Sequence, residues 1–372
     1  YAISKGVETA FKEIQGDNSL LMGKEKKCDE VNRRYKKIRL CKQIMNTEEL
    51  ANMIQLPCGK VQRMFGIKNV KSNQVNAPGI MLKGKILLGH LKKHGETIPV
   101  YFPAIRDLMC LPKVLLTQMG GGKTTAILNF ANDAIISGDG LVVIDHVKTC
   151  KIAMALKELH PHTVEIGFRD GLTPPTFAFP EIQILPTDTI EQIQDKASIV
   201  ANEVKYLINS MAKDTEPMSR QMSKYLTSAC RVVFVNNGMR LREVVDVLED
   251  KDTRHMLISM AIDRGIYKQN DRVIRTLLEL DEDKKGSKID GIMTRLSIIT
   301  ENSMFERMLD SPSSNNINFV DIMDKQIPLV ITMPQAKFTN QLLKDVITTY
   351  FMCRIRLAMS VRKDENKIAH VI

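Results

Sequence analysis

The sequence predicts an α/β fold: a mainly parallel sheet, an all-helical block inserted into it, and a small N-terminal module. Three observations carry that expectation. Two apolar runs, Lys113–Thr117 and Leu141–Asp145, flank an amphipathic helix within 33 residues, the size of a parallel βαβ unit. Residues 186–312 then run at helical spacing with few turn signals. Strand chemistry returns at Ile327–Met333, ahead of a second long helix.

In chain order, residues 1–45 read as helix of mixed charge. Asn46 followed by Glu49 is a helix start, because the two side chains can satisfy two orphan backbone donors. That helix runs to about Met53, before Pro57. Pro78, Gly79, Gly84 and Gly89 punctuate short apolar runs between 75 and 105, which predicts two or three short strands. Thr124–Ile136 buries Ile127, Phe130, Ala131, Ala134 and Ile135 on one helical face, and Gly138-Asp139-Gly140 stops it. Ala201–Met211 and Leu241–Leu248 carry apolar residues at three- and four-residue steps, with Gly238, Gly265 and Asp281–Gly286 as the breaks. Pro334 bounds the strand Ile327–Met333, a helix spans about Asn340–Arg362, and Ile368–Ile372 opens a further strand. Four parts follow: 1–104, basic helical segment and strand module; 105–185, first part of the sheet domain; 186–312, helical insertion; 313–372, its second, truncated part.

A chain of 372 residues holds more than one core, since single cores stop growing near 250–300 residues. Its first residue is Tyr1, and Val371-Ile372 sit inside an apolar run, so it reads as a piece of a longer protein. The net charge of +10 resides entirely in residues 1–100 and peaks at Arg33–Arg39. Such a run can neutralise nucleic-acid phosphates or anionic lipid headgroups; a solvated helix face accounts for it equally well. The seven cysteines are scattered without a CxxC pair or ligand spacing, which fits buried free thiols in a reducing compartment. No apolar stretch reaches the ~18–20 residues that span a bilayer.

The chemistry concentrates at Thr117-Gln118-Met119-Gly120-Gly121-Gly122-Lys123-Thr124-Thr125. The phosphate-loop pattern is G-x-x-x-x-G-K-[ST], between a strand and a helix. Its glycines let backbone N–H groups converge on the β- and γ-phosphates, its Lys adds a cation, and its hydroxyl completes a magnesium site. Gly122-Lys123-Thr124 match, and Thr117 stands where the first glycine belongs. A β-branched residue resists positive φ, so the loop must open differently there. The expected ligands are ATP and Mg2+, held by residues 117–125, with Lys123 and Thr124 as the catalytic side chains and Thr124 on the metal. Asp145, an acid at a strand end, is open to two readings: a magnesium-holding carboxylate, or a cap on the following loop.

The stretch KVLLTQMGGGKTTAILNFANDAIISGDGLVVID resembles the FtsK/HerA superfamily of ring-forming motors, and more closely the conjugative coupling proteins of type IV secretion (TraG/TraD-like). NTEELANMIQLP, PGIMLKGKILLG with IPVYFPAIRD, and PLVITMPQAKF with the strand KIAHVI extend the likeness over roughly residues 45–372. The resemblance implies a RecA-like P-loop NTPase sheet and an ATPase that translocates DNA in a conjugative transfer system. It also implies a homo-oligomeric, hexameric ring with ATP between subunits, and secretion or relaxosome proteins as partners. The location implied is cytoplasmic, at the membrane face if a segment outside this chain anchors it. The metal-holding Asp and the water-polarising Glu are expected within three residues beyond Ile372. Ile368–Ile372 is expected beside Lys113–Thr117, with Leu141–Asp145 elsewhere in the sheet. Arg354, Arg356 and Arg362 are the arginine-finger candidates by helix position. Three alternatives stay open: a secretion-channel ATPase acting on protein, a scaffold that binds nucleotide without hydrolysis, and a ParA- or signal-recognition-particle-like switch. Against the switch, the ParA lysine position is Gln118 and no N-K-x-D motif follows.

Overall fold

The computed structural model describes residues 76–372, except positions 94–95, 119, 212–216, 284–285, 313, 315, 339, 363 and 365. The helices expected before residue 54 and the run Arg33–Arg39 lie outside the described residues. The first strands form a hairpin, β1 (Leu87–Lys93) antiparallel to β2 (Glu96–Tyr101), with Leu91 opposite Ile98. A short helix, α1 (Arg106–Met109), follows, and then α2 (Lys123–Ile136). The hairpin docks on α2: the Leu87 N–H donates to Asp133 Oδ2 at 2.9 Å, and Phe102 meets Phe130 edge-on at 5.4 Å.

Gly138, at φ 78°, ends α2 in the left-handed conformation that glycine adopts without penalty. The chain reverses into β3 (Gly140–Asp145), then α3 (Lys151–Leu159) and β4 (Val164–Gly167). Every element from there to Asp310 is helical: α4 (Ile190–Ser210), α5 (Arg220–Val233), α6 (Leu241–Glu249), α7 (Lys251–Asp263), α8 (Arg272–Leu278), α9 (Asp290–Thr300) and α10 (Ser303–Asp310). Polar caps set several starts. Thr189 and Gln192 form a reciprocal capping box on α4, and Ser219, Asp250 and Asn302 accept first-turn N–H groups. The chain returns through α11 (Phe319–Asp324), β5 (Pro328–Thr332), α12 (Gln341–Val361) and β6 (Ala369–Val371).

The main sheet is four-stranded and parallel, in the order β4-β5-β3-β6. Alternation along β3 decides its layers. Leu141 and Val143 pack with Val330 against Ala131, Ile152, Ala153 and Leu156 of α2 and α3. Val142, Leu329 and Ile331 face the opposite way into a larger core. That core continues through Val346, Ile347, Tyr350 and Phe351 of α12 into Val200, Ala201 and Val204 of α4, so the helical block shares the sheet's interior. A strand buried on both faces reads as one apolar run, as Leu141–Ile144 does. No described helix is long and apolar enough to cross a membrane.

Two expectations are corrected. Lys113–Thr117 forms no strand, and Val114 and Leu116 stand 80% and 87% exposed. Ile368–Ile372 therefore does not lie beside it; β6 pairs with β3 instead, Val371 opposite Val142. The start of the segment is tied elsewhere. The Lys113 ammonium donates to Met109 O at 2.5 Å and Leu111 O at 3.2 Å, and it lies 5.5 Å over the Phe102 ring.

Candidate functional site

Residues 117–122 make a tight turn that delivers the chain into α2. The Gly121 N–H donates to Gln118 O at 3.0 Å, while Gly120 and Gly122 take φ 79° and 80°. A side chain at either position would be strained. Gly122 is the N-cap of α2 and has no side chain with which to cap it; the first hydrogen bond of the helix runs from Ala126 N–H to Gly122 O at 2.9 Å. Among the described residues no side chain accepts from the first N–H groups of α2, and the dipole of a 14-residue helix adds partial positive charge to them. Backbone arranged in this way is able to accept an anion.

Lys123, Thr124 and Thr125 open the helix on its exposed side. Among the described residues, no hydrogen bond or ion pair engages the Lys123 ammonium or the Thr124 hydroxyl. Gln118 is exposed, Thr117 is half-buried, and Met119 lies outside the described residues. Of the expected residues, Gln118 and Gly120–Gly122 lead into α2, and Lys123–Thr125 form its first turn. A free cation, a free hydroxyl and open N–H groups suit a nucleotide phosphate with its magnesium.

The turn at Gly138 runs α2 back along β3. At about 1.5 Å per residue, 14 helical residues cover about 21 Å, and six strand residues cover about 20 Å. The loop and Asp145 accordingly lie at the same end of the sheet, the carboxyl end where open α/β sheets bind ligands.

Asp145 is 2% exposed and spent on the loop that follows it. Its Oδ1 accepts the Val147 N–H at 3.0 Å, and its Oδ2 accepts those of Ile152 at 2.9 Å and Ala153 at 3.1 Å. It caps α3, whose N-cap residue, Cys150, sits at φ 52°. Burial and the Asp145 charge push the Cys150 thiol up to about 11, so it is no nucleophile near neutral pH.

A second acid at this end, Glu165 of β4, escaped the sequence reading. Burial pushes its carboxyl up, but Lys157 at 2.6 Å and Arg169 at 2.9 Å outweigh burial and hold it below the usual carboxylate range. Thr332 Oγ1 of β5 donates to it at 3.2 Å. Glu165 joins two strands and a helix; its oxygens are already taken.

The three candidate arginines, Arg354 and Arg356 of α12 and Arg362 at its C-cap, are occupied. Arg354 is fully buried, donating to Glu181 at 2.6 Å and to Asn316 Oδ1 at 2.6 Å, with Phe319 stacked 4.7 Å from its guanidinium. Arg356 pairs with Glu203 and lies over Tyr206, and Arg362 pairs with Asp324 at 3.0 Å. Helix position made them candidates, but their partners make them internal fastenings, and Arg354 cannot reach outside the molecule.

A cleft of about 410 Å³, lined by Phe179, Phe234, Val200, Met239 and Asn237 among others, includes none of residues 117–125. Among the described residues no cluster of His, Cys, Asp and Glu could hold a metal ion. Comparison of the chain with family models, with curated proteins and with solved structures returned no match.

Proposed function

We propose that the chain is an ATPase that binds ATP and Mg2+ at residues 117–125, within a RecA-like P-loop sheet carrying a helical insertion. The observation that supports this most is the N-terminus of α2, whose N-cap glycine has no capping side chain, next to Lys123, whose ammonium has no partner among the described residues. Lys123 would hold the β- and γ-phosphates, Thr124 the magnesium, and the backbone of Gly120–Gly122 the phosphate oxygens, the Gly121 N–H exchanging its bond to Gln118 O for one of them. Phosphoryl transfer asks for positioning and charge stabilisation, which such a loop supplies. Asp145, committed to α3, is not the metal carboxylate in this reading.

The motor role rests on the resemblance to conjugative coupling proteins: a DNA translocase working as a homo-oligomeric, hexameric ring in the cytoplasm, with secretion or relaxosome proteins as partners. The charge of residues 1–100 supports a polyanionic cargo. Duplex DNA binding measured across salt concentrations tests that role. A log–log slope of several units supports DNA; salt-independent or absent binding would favour protein as the cargo.

A further inference from the structure

The three loop glycines are glycine for two different reasons. Gly120 and Gly122 sit at positive φ; Gly121 does not. At Gly121 the constraint is space: an added Cβ would lie 2.0 Å from Thr117 Oγ1, 3.1 Å from Gln118 O and 3.4 Å from Thr117 Cβ. No real Cβ approaches an oxygen so closely, and Thr117 Oγ1 has no flexible stem along which to retreat.

That hydroxyl is engaged across the base of the turn. Thr117 Oγ1 lies 3.3 Å from Gln118 O and 3.3 Å from Gly121 O, and its single proton serves one of them at a time. The Gly121 N–H closes the same ring onto Gln118 O at 3.0 Å. Each of these contacts joins residues of the stretch 117–121, which leads into Gly122 and the first turn of α2.

We propose that Thr117 is a positioning residue of the phosphate loop: its hydroxyl, seated in the space left by Gly121, holds the turn in shape before a nucleotide arrives. A glycine at 117, as the strict pattern has it, could not do this, so Thr117 and Gly121 act as a matched pair. The proposal rests on the nucleotide reading above. It adds that a residue departing from the motif contributes affinity by preorganisation, lowering the ordering cost of binding.

The test uses the chain with Thr117→Val, which keeps the branched shape and removes the hydroxyl, and Thr117→Ser, which restores the hydroxyl. Amide hydrogen exchange at Gly121 without nucleotide reads the turn, and ATP calorimetry with Mg2+ reads its use. Thr117→Val is expected to speed exchange at Gly121 and to weaken ATP binding about fivefold, the worth of one net hydrogen bond. Thr117→Ser should match wild type in both, with all three proteins melting together. Gly121→Ala should cost affinity in the wild-type background and less in a Thr117→Gly background, so the two effects couple. Wild-type ATP affinity and Gly121 exchange in Thr117→Val, or additive effects of the two positions, would overturn the role of Thr117 alone. A wild-type chain that binds no ATP would overturn the nucleotide reading and the positioning role with it.

Discussion

Asp145 and Ile152 are joined at 2.9 Å by a backbone N–H donating to a buried carboxylate, a relationship that ties the end of β3 to the start of α3. A carboxylate so held is a helix cap. Asp145→Ala is expected to cost about 2 kcal/mol in urea unfolding, because it strands three backbone donors. The Mg2+ dependence of ATP binding should survive in the folded fraction. Its disappearance from a protein of wild-type stability would make Asp145 a metal ligand.

The Arg354–Glu181 pair is sealed from solvent on both sides, so removing one partner leaves the other as a buried, uncompensated charge. Arg354→Met should destabilise the protein by about 3–5 kcal/mol, and Arg354→Met with Glu181→Leu by clearly less. Denaturant midpoints of the two variants provide the check. An Arg354→Met protein of unchanged stability with impaired hydrolysis would argue for a catalytic arginine.

His370 of β6 meets Asp139 at 3.1 Å beneath the edge of Phe130. Burial holds its imidazole below the ordinary value, although Asp139 pulls the other way. The unfolded chain, titrating near 6.5, then binds a proton more readily than the folded one. Stability contributed by this site is complete above about pH 6.5 and falls as the pH drops from there towards the folded value. Melting temperatures between pH 7.5 and 5 should decline in wild type and less steeply in His370→Gln. Equal declines would assign the acid sensitivity to other groups.

Burial and the Lys344 charge likewise keep His146 low. Lys344→Ala should raise the His146 value, observable as an upward shift of its imidazole titration by NMR. An unchanged titration would mean that Lys344 does not face that ring.

Legibility followed locality. α2, β3, β5 and α12 announce themselves through unbroken apolar runs, helical spacing and glycine or proline stops, all within a few residues. β4 does not, since Val164–Gly167 is four residues long with Glu165 among them, and that acid is tolerated only because Lys157 and Arg169 come to it in space. Lys113–Thr117 misled in the opposite direction: apolar composition suggested a strand, but a strand also needs a neighbour with which to form a ladder. The burial of Arg354 depends on Glu181, 173 residues upstream, a distance no local pattern spans. Thr117 was visible as a departure from the motif; its fit against Gly121 required the folded turn.

The measurement closest to the central claim is calorimetric titration of the wild-type chain and of Lys123→Ala with ATP and Mg2+. Lys123 is exposed and its ammonium makes no hydrogen bond or ion pair among the described residues, so the variant should melt like wild type. The account predicts saturable ATP binding by the wild type and its loss in the variant. ATP affinity that Lys123→Ala leaves unchanged, or a wild-type chain that binds none, would contradict it.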